Sequence, residues 1–363
     1  MTRSGLVLLA VAALAAPAAA YHRQTPPIVT YTNSGDTPLP RLAADGRRFA
    51  VAIASSGQQI FRLDRTRYFL EQLTTTGDNA NPTTTITGSI VAWDTDCTLL
   101  GCPEGGRQIM MLTNLGTTQI THDLSGTSRN PSISGHGSVL AFESSGDLGL
   151  GTNPSGTPQI FVRSITGAFT QVTHGAGTSG DPVLDRTGRH IVFESTNDAQ
   201  GVDTHVSQIW LGPTPLPTAL TNGAGSSRLA AISSDGKLVA FESTADLTGD
   251  LHDTHVPNIF TYEVALRKMT RVTNDPQGCT GASIASIPND WRIGFACHGQ
   301  GLFHHVHAGQ TYPLPIPGGD TAQAVAELGS HFMMVSTTAN LQGSGTTPGH
   351  QIYLMNLYKL MGF

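Results

Sequence analysis

Gln159-Ile160-Phe161 is one copy of a three-residue unit, a polar residue followed by an aliphatic and an aromatic or aliphatic residue, that recurs along the chain. The copies are Gln59-Ile60-Phe61, Gln108-Ile109-Met110, Gln159-Ile160-Phe161, Gln208-Ile209-Trp210, Asn258-Ile259-Phe260, the degenerate Gly301-Leu302-Phe303 and Gln351-Ile352-Tyr353. Their middle residues are 49, 51, 49, 50, 43 and 50 positions apart. A near-constant step of this length is typical of a propeller or another repeat array. The pattern therefore predicts one continuous domain, although 363 residues would allow two or three.

The fifth repeat shows the strand pattern most clearly. Residues 228–233 alternate and lead into the tight-turn signal Ser234-Asp235-Gly236. A second strand follows at residues 238–243, then a loop, a third strand at 258–263 and a fourth at 269–273. Four short antiparallel strands make one propeller blade. We therefore predict an all-β, seven-bladed β-propeller with four antiparallel strands per blade.

The seventh repeat ends before a fourth strand can form. A matching segment, Ile28-Val29-Thr30, stands at the other end of the chain, at the usual distance before the first-turn glycine Gly46. We expect this N-terminal strand to complete the last blade and close the ring, because it would pair an edge that is otherwise open.

Two stretches carry a family resemblance. Residues 232–243, Ile-Ser-Ser-Asp-Gly-Lys-Leu-Val-Ala-Phe-Glu-Ser, resemble the repeat of TolB-like bacterial β-propellers, and so do residues 131–134 leading into Phe142-Glu143-Ser144. The resemblance extends over residues 26–360 and implies the fold. TolB itself resembles a six-bladed propeller with a separate N-terminal domain. With seven copies we expect no room for that domain here, so the resemblance does not imply TolB's role in the envelope.

The N-terminus has the pattern of a secretory signal. Arg3 precedes an apolar run from Leu6 to Ala16, and Ala18-Ala19-Ala20 supplies small residues for cleavage before Tyr21. We predict a signal peptide at residues 1–20, a single propeller domain at residues 21–363, and export to the periplasm or the medium. The apolar run is too short for a comfortable membrane span, and no other segment is long and apolar enough.

The charge balance excludes one class of partner. The whole sequence has a formal charge of −6, and removal of residues 1–20 takes away one arginine and no acid. An acidic chain without a basic block is a poor ligand for nucleic acid, which requires clustered lysine and arginine. We expect a monomer that binds a protein, a peptide or a glycan.

The four cysteines predict two disulfides in an exported protein. Cys97 and Cys102 are five residues apart within one loop, and Cys279 and Cys297 flank a turn signal at Pro288-Asn289-Asp290. Two strands that fold at this turn would place Cys279 opposite Cys297. We therefore expect the local pairs Cys97–Cys102 and Cys279–Cys297.

The predicted loops between second and third strands contain matched aspartates. Asp147, Asp198 and Asp246 share one repeat position, and Asp203-Thr204-His205 matches Asp253-Thr254-His255. One interpretation is a rim that binds divalent cations, because hard ions prefer carboxylate oxygen. The other is that these side chains accept hydrogen bonds from their own loops, as Asp commonly does in turns. We expect no cofactor, and at most a weak divalent cation at Asp203, His205, Asp253 and His255.

The repeated Phe-Glu-Ser unit places Glu143, Glu194 and Glu242 at equivalent positions. Carboxylates can perform acid–base chemistry, but repetition at three equivalent blade positions favours a structural role such as hydrogen bonding between blades.

Histidines are concentrated at His298, His304, His305 and His307, and we expect His305 and His307 to share a strand face. Some seven-bladed polysaccharide lyases bind a metal through histidines, so His305 and His307 are candidate ligands; surface histidines on a degenerate blade are the alternative.

Several catalytic motifs are absent: the chain has no Gly-x-Ser-x-Gly, phosphate loop or zinc-protease helix motif. We therefore predict a non-catalytic binding or scaffolding protein that presents one loop-rich face to a glycan, peptide or envelope protein. The alternative is a carbohydrate-active enzyme, a lyase or hydrolase, acting at the central channel.

Overall fold

The computed structural model describes residues 28–30, 41–42, 48–54, 58–64, 69–96, 106–123, 126–212, 217–249, 255–287, 290–316, 321–326, 332–339 and 346–356. Every described element of regular structure is a β strand. Within these ranges there is accordingly no helix of the length and hydropathy that crossing a membrane requires.

The strands pair into four-stranded antiparallel sheets, six of which are built from consecutive strands. Sheet 1 contains β2 (Arg41–Leu42), β3 (Arg48–Ala54), β4 (Gln58–Asp64) and β5 (Phe69–Gln72). Sheet 2 contains β6 (Asn79–Thr84), β7 (Val91–Thr95), β8 (Gln108–Thr113) and β9 (Gly116–Gln119). Sheet 3 contains β10 (Ser128–Ile133), β11 (Val139–Ser144), β12 (Gln159–Ser164) and β13 (Phe169–Gln171). Sheet 4 contains β14 (Ser179–Leu184), β15 (Ile191–Asn197), β16 (Asp203–Gly212) and β17 (Thr218–Ala219). Sheet 5 contains β18 (Ser227–Ile232), β19 (Leu238–Ser243), β20 (Asn258–Glu263) and β21 (Lys268–Arg271). Sheet 6 contains β22 (Cys279–Ile287), β23 (Asp290–Cys297), β24 (Gln300–His305) and β25 (Gln310–Pro313).

The remaining sheet, which we call the terminal sheet, joins the two ends of the described chain. It contains β26 (Thr321–Ala326), β27 (Phe332–Ala339) and β28 (Thr346–Asn356), and its fourth strand is β1 (Ile28–Thr30). β1 pairs antiparallel with β28, so that Ile28 lies opposite Met355 and Thr30 lies opposite Tyr353. Residues 1–27, which include the predicted signal peptide, lie outside the described part of the chain.

The recurring Gln-Ile unit has a structural cause in sheet 3. The backbone N–H of Ile160 donates to Thr173 Oγ1 at 2.9 Å, and the same hydroxyl donates to Gln159 Oε1 at 2.7 Å. Gln159 Nε2 in turn donates to the carbonyl of Gly177 at 3.0 Å, in the connection to the next sheet. We call this arrangement the amide clamp. It ties the third strand of a sheet to the chain that leaves the fourth.

The threonine contact of the amide clamp recurs in five sheets, with N···Oγ1 distances between 2.8 and 2.9 Å. The pairs are Ile60–Thr74, Ile109–Thr121, Ile160–Thr173, Ile209–Thr221 and Ile259–Thr273. All five isoleucines are fully buried. Each clamp therefore combines a threonine contact that satisfies a backbone N–H with a buried apolar side chain, which explains why the sequence repeats both residues.

The core lies between neighbouring sheets as well as within each one. Phe241 of β19 stacks on Phe260 of β20, with ring centroids 6.0 Å apart. The same cluster takes in Val192 and Ile209 from sheet 4. Because each strand turns alternate side chains to opposite faces, both faces of a sheet are buried against its neighbours. The first strands of neighbouring sheets also contact one another, which places them on the inner side of the array.

Candidate functional site

Four carboxylates occupy one equivalent position in successive sheets. They are Asp94 in β7, Glu143 in β11, Glu194 in β15 and Glu242 in β19, and we call them the carboxylate row. All four stand on second strands, near the end at which the chain enters the loop to the third strand: Asp94, Glu143 and Glu242 one residue before that end, and Glu194 three residues before it. The row therefore lies at the loop-rich end of the sheets, beside the inner first strands.

The first strand of the next sheet carries a β-bulge beside each carboxylate of the row. The bulge offers a backbone N–H to that carboxylate. The strand register shifts in β10 and β14, as it does in β6, β18 and β22. A residue at each bulge adopts a positive φ, the left-handed region; these residues are Asn81, Asn130, Asp181, Leu229 and Gly281. Such a bulge turns its N–H out of the ladder of its own sheet.

The bulge N–H groups bond to the carboxylate of the preceding sheet. The pairs and their N···O distances are Asn130 to Asp94 Oδ2 at 3.1 Å, Asp181 to Glu143 Oε2 at 3.1 Å, Leu229 to Glu194 Oε1 at 2.7 Å, and Gly281 to Glu242 Oε2 at 3.3 Å. Each carboxylate thus joins two sheets. The structural interpretation of Glu143, Glu194 and Glu242, hydrogen bonding between neighbouring units, agrees with this geometry.

The counter-charges differ along the row. Arg129 lies opposite Glu143 in the strand register and donates Nε to Glu143 Oε1 at 2.6 Å. Asp94 instead accepts a hydrogen bond from the Arg107 side chain, which also donates to Asp78 Oδ2 at 3.0 Å. Opposite Glu194 stands Gly180, so no cross-strand cation is present at that position.

Burial raises the pKa of every member of the row, because a carboxylate loses hydration that its partners only partly replace. For Glu194, burial and the nearby charge of Asp181 raise the pKa to about 7, against the opposing effects of the Leu229 N–H, Ser207 and Arg228. A partly exposed carboxyl group with a pKa near neutrality can exchange a proton under ordinary conditions. Glu194 is therefore the chemically distinct member of the row.

The loop aspartates are occupied by their own loops. Asp147 accepts the backbone N–H groups of Gly151, Thr152 and Asn153 at 2.6, 2.7 and 2.8 Å. Asp198 likewise accepts from Gln200 and Val202, each at 2.9 Å. These contacts fit the loop-ordering interpretation, since oxygens that accept backbone N–H groups are not arranged around a cation.

Asp246, the third matched aspartate, accepts the backbone N–H of Gly249 at 2.9 Å and pairs with Arg271 at 2.8 Å. An arginine that lies within hydrogen-bonding distance of a carboxylate competes with any cation for the same oxygens. The third matched aspartate therefore does not fit an open calcium site either.

The Asp203–His205 pair lies on a strand rather than in a loop. The sequence places both residues in a loop between second and third strands, but β15 continues to Asn197 and β16 already begins at Asp203. Asp203 accepts the His205 backbone N–H at 2.9 Å, and its Oδ2 lies 2.9 Å from His205 Nδ1. The Thr196 side chain and the His205 N–H lower the pKa of Asp203.

The matching His255 shares the left-handed backbone of His205, with φ of 56° and 59°, respectively. Asp253 lies outside the described residues, so the proposed equivalence of the two pairs stays a prediction.

The histidines near the sixth repeat do not form one strand face. β24 ends at His305, and His307 lies beyond it, where its ring contacts Trp291 with centroids 5.5 Å apart. The expectation that His305 and His307 share a strand face is therefore wrong, because the chain turns between them. His304 contacts the Thr311 hydroxyl at 2.9 Å.

The expected pair Cys279–Cys297 is bonded, and the two residues lie directly opposite each other on β22 and β23. Residue Asp290, expected in the turn between them, is the first residue of β23. Asp275 lies near both sulfurs, but sulfurs joined in a disulfide are not thiolate ligands, so this group does not fit a metal site. Cys97 and Cys102 lie outside the described residues.

Sequence reasoning missed Asp94, the bulge residues and Ser207. The Trp93-Asp94-Thr95 segment aligns with Phe-Glu-Ser and could have revealed Asp94. The Asn-Pro or Asp-Pro pairs at Asn81, Asn130 and Asp181 were a signal for the bulges, since proline cannot donate to a ladder. Ser207 leaves no such signal, because its contact to Glu194 depends on how two strands face each other.

No protein-family model and no curated protein matches the chain. Among solved structures it is similar to an oligogalacturonate lyase in complex with manganese, with 13% identity, a TM-score of 0.61 and coverage of 92% of this chain and 91% of that one. The β-propeller domain of the Trilobed protease from Pyrococcus furiosus, which has an open velcro topology, matches with 8% identity, a TM-score of 0.60 and coverage of 88% and 95%. TolB from Acinetobacter baumannii matches with 14% identity, a TM-score of 0.50 and coverage of 75% of this chain and 65% of that one. At these identities the likeness concerns the fold, and the chain has a TolB-like β-propeller fold.

Proposed function

We propose that the protein is an exported, non-catalytic binding or scaffolding propeller that presents its loop-rich face to a glycan, a peptide or an envelope protein. The observation that carries this proposal is the use of the carboxylate row. All four carboxylates accept a backbone N–H from the next sheet. Acidic groups that recur at equivalent positions and join neighbouring units belong to the scaffold.

The binding surface we propose consists of the loops between second and third strands. Leu150 and Val202 lie on these loops with 38% and 58% of their surface exposed. Because the strands are antiparallel, the turns between third and fourth strands lie at the opposite end, where Leu115 and Ile165 are 93% and 74% exposed. The two ends therefore provide matched apolar positions for a binding test.

Glycan and peptide arrays probed with the purified mature protein test this surface. Binding that is lost in Leu150→Glu or Val202→Lys and retained in Leu115→Lys and Ile165→Lys would support the proposal. Equal loss in both pairs, or binding by neither face to any array, would contradict it. Size-exclusion chromatography with light scattering tests the accompanying expectation of a monomer.

We further propose that the sheets are seven blades of a ring closed by the N-terminal strand. The antiparallel pairing of β1 with β28 supports this arrangement, since it covers an edge of the terminal sheet. It differs from the open velcro topology of the Pyrococcus domain. Deletion of residues 21–31 should lower the Tm sharply, whereas deletion of residues 21–24 alone should not. A 21–31 deletion as stable as the full mature chain would contradict closure.

Export rests on the predicted signal peptide and on the Cys279–Cys297 disulfide, because disulfides persist in oxidising compartments. Sequencing of the exported product should show Tyr21 as its first residue. Non-reducing peptide mapping should find Cys97–Cys102 beside Cys279–Cys297. A Cys97–Cys279 peptide would contradict both the pairing and the assignment of these residues to separate repeats.

The alternative is a carbohydrate-active enzyme, a lyase or hydrolase, working at the central channel. Two observations favour it. The structural match to the lyase in complex with manganese covers 92% of this chain, and burial raises the pKa of Glu194 to about 7. A carboxyl group that titrates near neutrality is suited to general acid or base catalysis.

A polysaccharide panel that includes oligogalacturonate, with and without manganese, separates the two functions. Turnover of any substrate that is abolished in Glu194→Gln would overturn the binding proposal. Absence of turnover, together with binding at the loop-rich face, would support it.

A further inference from the structure

Glu194 is joined to sheet 5 by the bulge N–H and also through a serine hydroxyl that reaches a backbone carbonyl of that sheet. Its Oε1 accepts the Leu229 N–H at 2.7 Å, and its Oε2 lies 3.2 Å from Ser207 Oγ. Ser207 Oγ also lies 3.1 Å from the carbonyl oxygen of Ser227. Because Ser207 and Ser227 are buried, water does not supply a partner to a donor or acceptor there that lacks one.

The number of protons decides how many of these contacts can form at once. A serine hydroxyl carries one hydrogen, which can be donated to Glu194 or to Ser227 but not fully to both. If Glu194 is ionised, one of the two acceptors therefore lacks its donor. If Glu194 is protonated at Oε2, it donates to Ser207 Oγ, and Ser207 donates to the Ser227 carbonyl. Oε1 still accepts the Leu229 N–H, so every contact is made in the neutral form.

The surrounding charges do not offset the cost of ionisation. On β14, Asp181 disfavours a second negative charge; on β18, Arg228 favours it but lies opposite Glu242 in the strand register. On β16 the nearest group is the neutral Ser207, while Asp203 and His205 pair with each other near the start of that strand. Gly180 stands where sheet 3 has Arg129.

We propose that Glu194 is a pH-sensitive latch between sheets 4 and 5, which holds the two sheets together more tightly when its carboxyl group is protonated. The contacts join β15 and β16 of sheet 4 to the bulge and the first residue of β18 in sheet 5. Acid therefore tightens this boundary, and neutral to alkaline pH loosens it beside the inner first strands. The proposal does not depend on whether the protein binds a ligand or turns over a substrate.

The direction of the pH effect follows from linkage. The pKa of Glu194 in the folded protein, about 7, lies above the ordinary value of 4.5, so the folded state binds this proton more tightly than the unfolded state. The stabilisation is complete below the ordinary pKa and is lost as the pH rises through about 7.

Hydrogen exchange measured by mass spectrometry tests the latch in the mature protein. After correction for intrinsic exchange, a peptide covering β18 should exchange about threefold or more faster near pH 8 than near pH 6. Glu194→Gln places a permanent donor at the Oε2 position and should be protected equally at both pH values. Its Tm near pH 8 should exceed that of the wild type.

Two further variants serve as controls. Glu143→Gln, at the position paired with Arg129, should retain the wild-type pH response of β18. Ser207→Ala interrupts the relay to Ser227 and should lower protection of β18 near pH 6. The proposal is overturned if β18 of the wild type shows equal corrected exchange at both pH values. It is also overturned if Glu194→Gln keeps the pH response or fails to fold.

Discussion

Gly180 lies directly against the carboxylate of Glu143, across the boundary between sheets 3 and 4. A methyl group added at Gly180 would overlap Glu143 Oε2, the oxygen that accepts the Asp181 N–H. The glycine is thus required for the close approach of an acidic side chain to the neighbouring backbone. The same glycine leaves Glu194, its register partner on β15, without a cross-strand cation.

We therefore expect Gly180→Ala to lower the free energy of unfolding by roughly 1–3 kcal/mol through overpacking. In a Glu143→Ala background the overlap disappears, so the same change should cost less. A double-mutant cycle from denaturant unfolding measures this coupling. Strictly additive effects would show that Gly180 does not serve Glu143.

Leu229 is the one bulky aliphatic residue among the bulge residues with positive φ, at 51°, and 46% of its surface is exposed. The left-handed region costs a non-glycine residue on the order of 1–2 kcal/mol, whereas glycine adopts it freely. Leu229→Gly should therefore raise the free energy of unfolding by up to about 1 kcal/mol. This figure allows for the entropy that glycine adds to the unfolded chain, which offsets part of the gain.

Leu266 is a matched control, because it is 68% exposed and does not have a positive φ. Leu266→Gly should leave the free energy of unfolding unchanged or lower it. Stabilisation by both changes would indicate that loss of exposed apolar surface, rather than relief of backbone strain, is responsible.

The Thr173 hydroxyl serves both the Ile160 N–H and Gln159 Oε1 in the amide clamp. Thr173→Val removes both contacts inside a buried site, and each lost partner of a buried polar group costs about 1–3 kcal/mol. Thermal unfolding should show a clear fall in Tm. The exposed Thr170 on β13 is the control, and Thr170→Val should have little effect. Equal effects at the two positions would contradict the clamp.

Calcium should have little influence on the loops. Asp147→Ala removes an acceptor of three backbone N–H groups and should lower the Tm equally with calcium and with a chelator. These N–H groups lower the pKa of Asp147, so its contribution to stability is present above the ordinary pKa and is lost as the pH falls through the lowered value.

The cation hypothesis has its own test in the Asp203→Ala/Asp253→Ala double variant, which should behave alike in calcium and in chelator. A large rise of the wild-type Tm in calcium that this double variant loses would establish calcium sites at these two positions. Calorimetric titration with calcium should show no tight binding.

Much of the fold could be predicted from residues close together in the chain. The strands of one sheet follow one another, so alternation, turn glycines and the fifty-residue step are local signals. The disulfide Cys279–Cys297 was predictable for the same reason, since one hairpin brings both residues together. The placement of Asp203 and His205 on a strand, and the end of β24 at His305, were not predictable, because strand ends depend on pairing rather than on composition.

The sequence by itself determined the β strands, their grouping in fours and the recurrence of a carboxylate at one position, because strand alternation and hairpin turns act over a few residues. Only the tertiary structure decided what those carboxylates do. Leu229 and Glu194 are 35 positions apart and meet through the packing of one sheet on the next. Strand pairing within each sheet decides that Glu143 lies opposite an arginine, while Glu194 lies opposite a glycine and beside Ser207. Burial and neighbouring charge are properties of the assembled sheets, and they give chemically identical side chains different proton affinities.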